Sequence, residues 1–286
     1  MTYYLIDDQG RELGGAEMTL AGLLEDVNDL VVIPTKDLTM AAIENPELII
    51  FGNICDVRSQ EVSQALQQIV SYSEFVKIEF DYGFIPYRGE IPYKCYVGQD
   101  YPGPEATHQE IARFYKDIRE RAVAIFFMSK EQMKIHDKYL GKGLSPCHVL
   151  SSCFSNHSLD RMKEIRNRDQ AREGWIVVNG CDRWQEWCKG VNNAVSQATN
   201  DGVNYKVVET DTNDELLELF GSSEGMYMLP NIHDTCPRTA IEARLCGANI
   251  VVNENVQHGK ETWFNQSVEE IHEYLKGRKD FFWSKL

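Results

Sequence analysis

Short apolar runs alternate with amphipathic stretches along nearly the whole chain, and no other feature restricts its fold as much. YYLID, DLVVIP, ELIIFG, FVKIEF, AVAIFFMS and CHVLSS have the length and β-branched content of buried strands, and helical periodicity fills residues 16 to 26, 58 to 72, 105 to 120 and 129 to 140 between most of them. Strands separated by helices pair in parallel, and a parallel sheet needs helices on both faces. The alternation restarts after the charged segment LDRMKEIRNRDQAREG, as WIVVNG, YKVVET, GMYML and NIVVN, with helical stretches near residues 188 to 200, 213 to 221 and 237 to 246. The interruption at residues 155 to 173 divides the chain into two Rossmann-like α/β domains, 1–155 and 156–286, the second with four to five strands. The last stretch, SVEEIHEYLKGRKDFFWSKL, reads as a helix, a break at Gly277 and an aromatic tail that returns to the first domain.

A chain of 286 residues, 43% hydrophobic and 26% charged, has material for two cores and excludes a disordered class. MTYYLIDDQG lacks the basic stretch and apolar run of a signal peptide, and no apolar run approaches the ~18 residues of a spanning helix, so the expectation is a cytoplasmic protein. Eight cysteines without a CxxC pair read as reduced thiols, and the spacing of Cys181, Cys188 and His233 does not favour a metal site.

In open parallel sheets ligands bind beyond the carboxyl ends of strands, which directs attention to four loops. In DDQGRELGGAE, Gly14 and Gly15 precede a helix, with Glu17 in its first turn; glycines there allow close backbone approach, and free helix N–H groups favour an anion. In KIEFDYGFIPYRG, Glu79, Asp81 and Arg88 crowd a strand end, a pattern that also suits a solvated structural ion pair. In VVNGCDRWQEWCKG, Arg183 and Lys189 can reach a diphosphate, the one as a fork of donors and the other as a point charge, with a helix starting near Lys189 and Gly190. In LPNIHDTCPRTAIEARLCG, Asp234, Thr235, Pro237 and Arg238 precede or open a short helix that carries Glu242 and ends at Gly247; Pro237 suits its first position. Carboxylates and amides together suit a ligand that has both hydroxyls and phosphates.

The spacing of Asp234 and Glu242, followed by EARLCGANIVVN, resembles the Glu-x7-Glu region of retaining glycosyltransferases of family 4. NGCDRWQEWCKGVNNAVSQA is similar to that family's Arg-and-Lys-Gly loop, and GGAE to its acceptor-side glycine loop, all three in the family's order. The resemblance implies the GT-B fold, two Rossmann-like domains facing a cleft, and sugar transfer from a nucleotide sugar held mainly by the C-terminal domain. It implies no metal and no other cofactor. By position, Arg183 and Lys189 would neutralise the donor diphosphate, Glu242 would bind the ribose, Asp234 would hold the transferred sugar, and Gly14, Gly15, Glu17 and Arg88 would line the acceptor side.

The sequence departs from the family at three places. Asp234 stands where the first Glu is usual, Pro237 and Arg238 replace the commoner Phe-Gly, and Phe80 precedes Asp81 where many relatives have His. Asp81 and Glu79 are then the polar candidates beside the anomeric carbon, with Asp234 as the third catalytic candidate. The implied chemistry is a front-face transfer in which the leaving diphosphate accepts the acceptor proton, with inversion through Asp81 as base left open. The competing class is a nucleotide or nucleotide-sugar binding protein without turnover. An NAD-dependent enzyme is disfavoured, because GGAE is not GxGxxG and no acidic residue closes VVIPTK.

The acceptor is written in no motif. Residues 113 to 172 hold 13 Lys and Arg against 7 Asp and Glu in a chain of net charge -15, which suits either a solvated face or contact with a polyanion such as DNA bearing a modified base. Arg113, Lys116, Lys130 and Lys134 would carry that contact. A neutral glycan or small molecule would instead stack on Tyr82, Phe84 or Tyr87, and this is the favoured expectation because screening keeps the local positive field short-ranged.

Overall fold

A computed structural model describes residues 2–8, 14–180, 182–210 and 212–286. The chain forms two compact units, Met1–Cys153 with Arg278–Leu286, and Phe154–Gly277. The first unit contains, in order, β1 (Thr2–Asp7), α1 (Gly15–Leu24), β2 (Leu30–Pro34), β3 (Pro46–Phe51), α2 (Gln60–Tyr72), β4 (Phe75–Glu79), α3 (Glu90–Val97), α4 (Pro104–Thr107), α5 (Gln109–Arg121), β5 (Ala124–Phe127), α6 (Lys130–Leu140) and β6 (Cys147–Val149). Its strands pair in parallel in the order β2-β1-β3-β4-β5-β6.

The second unit contains α7 (Asn156–Arg166), β7 (Trp175–Val178), α8 (Arg183–Lys189), α9 (Val191–Asn200), β8 (Tyr205–Val208), α10 (Asn213–Ser222), β9 (Gly225–Met228), α11 (Arg238–Leu245), β10 (Asn249–Val252) and α12 (Val268–Lys276). Its parallel strands run in the order β10-β9-β7-β8. Both central strands, Ile49 to Phe51 in the first unit and Ile176 and Val177 in the second, are buried, as a sheet covered on both faces requires.

Several helices begin where short polar side chains take up free N–H groups. Ser59 caps α2, Ser129 caps α6, Ser155 caps α7, Thr212 caps α10, and Ser267 with Glu270 forms a capping box on α12. Three helical segments differ from the expected ones. The segment expected as one helix over 105 to 120 is two, because His108 adopts φ -148 and ψ 82 between α4 and α5. The charged segment expected as an interruption is largely α7, whose Leu159, Met162 and Ile165 are buried against Phe220, Ile241 and Leu275 in the core of the second unit. Before the helix expected at 188 stands a further short one, α8, capped by Asp182. Cys181 lies outside the described residues, and among those described no group of His, Cys, Asp and Glu is arranged to hold a metal ion. No described helix is long and apolar enough to cross a membrane.

After Gly277 the chain returns to the first unit as α13 (Arg278–Trp283). Arg278 donates to the carbonyls of Leu150 and Val149 at 3.0 and 3.1 Å, Lys279 pairs with Glu25 and Asp26, and Trp283 meets Tyr3 edge to face. Phe282 is fully buried and packs on Phe126 at 4.5 Å between ring centroids. Phe282→Ala should therefore lower the stability of the first unit by about 3–5 kcal/mol, the usual loss for a buried Phe. Urea unfolding followed by near-ultraviolet circular dichroism checks this, and a loss below ~1 kcal/mol would mean that the tail is not part of that core.

Candidate functional site

Each sheet has one point where the strand order reverses. In the first unit β2 lies on one side of β1 and β3 on the other; in the second, β8 and β9 flank β7 in the same way. Connections leaving the two sides of the reversal diverge and open a crevice at the carboxyl ends of β1 and β3, and of β7 and β9. The polar loops singled out by sequence leave the sheets at or beside these two points.

In the first unit Asp7 and Asp8 end β1. Asp7 Oδ1 accepts the Asn53 N–H at 2.6 Å, and the two oxygens of Asp8 accept the N–H groups of Cys55 and Asp56, each at 2.9 Å, so the exits of β1 and β3 are joined. Arg88, beyond the end of β4, places Nε 2.7 Å from Asp81 Oδ2 and Nη2 3.9 Å from Asp8 Oδ2. Burial raises the Asp81 carboxyl above its ordinary range, opposed by Arg88 and Lys77, yet 26% of the side chain stays accessible. Glu17, in the first turn of α1, folds its carboxylate back over Gly14; burial raises it too, while Arg88 and nearby N–H groups oppose the shift. Gly15 is exposed at the start of that helix.

Glu79 is placed differently from Asp81. Its Oε2 lies 3.1 Å from Nζ of Lys77, both side chains are almost wholly buried, and the same Nζ donates to the carbonyls of Gly52 and Ile78 at 2.7 and 2.8 Å. Glu79 therefore serves the sheet as half of a buried ion pair, and Asp81 is the accessible carboxylate of this loop. Phe80 is also buried. Tyr82 and Phe84, expected as stacking surfaces, are each only 1% exposed and belong to an aromatic core, whereas Tyr87 is 51% exposed. The difference is one of neighbours: His136 packs against both Tyr82 and Phe84.

Two residues that sequence reasoning missed hold this loop from α6. Gln132 Nε2 donates to the carbonyls of Glu79 and Asp81 at 3.0 and 3.1 Å, and its Oε1 accepts the Met128 N–H. His136 Nε2 lies 3.3 Å from the Asp81 carbonyl, so that nitrogen carries the hydrogen; burial pushes the ring down to about 3, which keeps it neutral. The available signal was a Gln and a His four apart on the face of α6 that also carries Ile135.

In the second unit α8 ends at Lys189 and α9 begins at Val191, with Gly190 between them at φ 65. A Cβ on residue 190 would stand 1.8 Å from the Leu229 carbonyl oxygen, so only glycine permits this contact with the exit of β9. Asn231 then bonds to the carbonyls around the α8 end, Asn193 bonds to Asn231, and Asn253 and Asn255 both donate to the Pro230 carbonyl. Lys189 is exposed and donates to the Asn179 carbonyl at the end of β7, at 3.1 Å. The start of α9 has no side-chain cap and follows Lys189 and Gly190 directly. Arg183, the first residue of α8, is exposed.

Asp234 is fixed by its backbone, whose N–H donates to Asn255 and whose carbonyl accepts from Gln257. Its carboxyl is raised to about 6 by burial, against the Cys236 N–H and the charge of Lys189. Thr235 beside it is buried. Pro237 is the residue before α11 and not its first helical residue. Arg238, expected to be open to a donor, is instead buried: its Nε lies 3.0 Å from Glu242 Oε1 and its guanidinium covers the Phe154 ring at 3.8 Å. Burial raises the Glu242 carboxyl, with Arg238 opposing. Gly247, at φ 88, ends this helix.

The cations of residues 113 to 172 are engaged mainly within their own units. In the first, Lys116 pairs with Glu105, buried Arg119 with Asp137, Lys134 with Glu131 and Lys138 with Glu90. In the second, Arg161 and Arg168 share Glu218, Arg166 pairs with Glu269, and Arg172 donates to the Phe220 and Cys246 carbonyls.

The sequence matches no protein-family model and no curated protein. Solved structures do match the fold. HepE of Anabaena, solved with UDP and glucose, has a TM-score of 0.58 at 13% identity, over 100% of this chain and 92% of that one. Sucrose-phosphate synthase from Thermosynechococcus elongatus has a TM-score of 0.58 at 12% identity, over 99% and 91%. An alpha-glucosyltransferase in complex with UDP and a 13-mer DNA containing an HMU base has a TM-score of 0.52 at 10% identity, over 100% and 93%. With two parallel sheets, helices on their faces and full-length similarity to these proteins, the chain has the α/β GT-B fold of glycosyltransferases.

Proposed function

We propose that this protein is a glycosyltransferase that moves a sugar, with retention, from a uridine diphosphate sugar to a neutral hydroxyl acceptor. The observation that carries the reading is Asp234, a carboxylate held in a partly buried loop at the strand-order reversal of the second unit, within the electrostatic reach of exposed Lys189. The UDP and glucose found with the similar HepE structure support the donor class.

The donor diphosphate lies against Lys189, Arg183 and the uncapped start of α9, next to Gly190. Asp234 accepts hydrogen bonds from hydroxyls of the sugar. Glu242 is itself buried and paired with Arg238, so it supports from behind the wall toward the ribose that Thr235 and Pro237 shape. In the first unit Asp81, set by Arg88, orients the acceptor hydroxyl near Gly14, Gly15 and Glu17. In the transfer the bond from the anomeric carbon to the diphosphate oxygen breaks, a bond from that carbon to the acceptor oxygen forms on the same face, and the acceptor proton passes to the departing phosphate. Charge grows on the leaving group in this step, and positioned cations stabilise it most where they cost no reorganisation. With Lys189 and Arg183 in this role, no metal is needed.

Lys189→Ala should lower the rate of UDP-glucose turnover by on the order of 100-fold, as expected for one removed donor to developing charge, and leave the unfolding midpoint unchanged because the residue is exposed. Steady-state kinetics with UDP release as readout is the measurement, and unaltered turnover at saturating donor would remove Lys189 from the site. Binding of UDP without any release of sugar, to water or to acceptor, would instead favour a nucleotide-sugar binding protein.

Asp234 gives a second test, because its burial opposes folding. A carboxyl raised from 3.8 to about 6 binds its proton more tightly in the folded state, so stability falls as pH rises from about 4 to about 6 and is level above. Asp234→Asn removes that slope and can still accept the Cys236 N–H. The variant should match the parent near pH 4 and exceed it above pH 6 by up to ~3 kcal/mol, while losing transfer activity. Thermal unfolding across that pH range, beside activity, decides it; equal stability at pH 7 with full activity would make Asp234 an ordinary loop residue.

A further inference from the structure

We infer that Tyr87 and Tyr96 form the platform of the acceptor subsite in the first unit and take the apolar face of a neutral sugar ring. The inference rests on the transferase reading and adds to it the chemical class of the acceptor. The two rings stack with centroids 4.5 Å apart and planes at 20°, and they are 51% and 57% exposed, so each keeps its outer surface toward solvent. Tyr96 comes from α3, and Tyr87 is the neighbour of Arg88, whose guanidinium meets Asp81 at 2.7 Å.

The backbone at this point is strained. Tyr87 and Arg88 both have φ 61, a left-handed conformation that costs a non-glycine residue roughly 1–2 kcal/mol. Two such residues in succession persist because the turn from Ile85 O to Arg88 N and the Arg88 ion pairs hold them. The strained turn presents an aromatic face and, one residue on, a guanidinium fixed on a carboxylate. That pairing matches a pyranose, whose axial C–H groups are polarised to meet the negative face of a ring and whose equatorial hydroxyls need carboxylate and guanidinium partners.

Charge separates a sugar from a polyanion here. Among the described residues the cations named around the platform are matched: Arg88 by Asp81 and Asp8, Lys94 by Asp100 at 2.9 Å, and Lys138 by Glu90 at 2.7 Å. Single-stranded nucleic acid also stacks on aromatic rings, but its affinity comes largely from cations that release counterions, and a neutralised surface supplies little of that.

The test uses the full chain with methyl α-D-glucopyranoside, methyl α-D-mannopyranoside and a short single-stranded oligodeoxynucleotide as probes, by saturation-transfer nuclear magnetic resonance. Tyr96→Ala, Tyr87→Ala and Tyr96→Phe are compared, and UDP is titrated separately by calorimetry. At least one glycoside should bind, with transfer strongest to ring C–H protons of one face. Its Kd should rise roughly fivefold to tenfold in both Ala variants, about 1–1.4 kcal/mol, and stay within about twofold in Tyr96→Phe, while UDP affinity does not change. Tyr96 lies on a regular helix, so its variants report on the ring without the backbone strain at Tyr87. Glycoside affinity unmoved in both Ala variants, no glycoside binding by the parent, or binding of the oligonucleotide alone would each overturn the proposal. Failure of UDP to bind the parent would retire the transferase reading by a separate route.

Discussion

The Leu229 carbonyl oxygen occupies the place where residue 190 would otherwise carry a side chain, and the arrangement of the loops after β7 and β9 follows from that approach. Because Gly190 yields the space and turns the chain at positive φ, α8 and α9 meet at the exit of β9 and not away from it. The gap is then closed by amides. Asn193 and Asn231 join the helix junction to the loop from one side, while Asn253 and Asn255 fasten Pro230 from the other. A loop with its backbone groups satisfied in this way keeps Lys189 and Asp234 in place before any ligand arrives. Preorganisation of that kind is what electrostatic stabilisation of a leaving group requires, since groups that must first be collected offset their own effect.

The first unit has two ion pairs within the twelve residues from Lys77 to Arg88, and depth divides their roles. Lys77 and Glu79 lie inside the sheet, with the ammonium also bonded to two carbonyls, so removing either partner would leave a buried charge without compensation. Arg88 and Asp81 sit at the rim, where the carboxylate keeps accessible surface and the guanidinium also faces Asp8. Gln132 and His136 then tie down the Glu79 and Asp81 carbonyls from α6, so the outer pair moves only if the inner strand does. The neutral state of His136 matters to this: a charged ring in that aromatic enclosure would have to be hydrated, and the enclosure would open.

Most of the strand pattern was legible because strands buried on both faces are uninterrupted apolar runs, and the loops after them stood out by contrast. Helices were legible in proportion to how clean their period is. Leu159, Met162 and Ile165 carry the buried stripe of α7, but six charged residues among its neighbours from 160 to 168 hide it, and only contact with Phe220 and Leu275 makes it a helix of the second core. The site residues were legible as types and not as depths. Glu79 and Asp81 are two apart on one strand exit and look equivalent in sequence, as do Arg183 and Arg238. What separates them is supplied by distant residues: Lys77 beneath Glu79, Phe154 and Glu242 around Arg238. Tyr82, Phe84 and Tyr87 divide for the same reason, since the packing of His136 on the first two is set by how α6 lies on the sheet.

Electrostatics gives the last link between this composition and the anionic donor proposed for it. A chain of net charge -15 repels a nucleotide sugar at long range, so attraction has to arise locally, within the ~10 Å over which 0.1 M salt leaves a field intact. A cation helps there only if no carboxylate has already neutralised it. The apparent positive excess of residues 113 to 172 is largely matched from outside that segment by Glu90, Glu105, Glu218 and Glu269, and thus contributes little field of its own. Lys189 is different, since its ammonium is bonded to the Asn179 carbonyl, which orients the group without cancelling its charge. An exposed ammonium oriented by a dipole, next to an uncapped helix start, is a local positive site that an overall acidic protein can maintain.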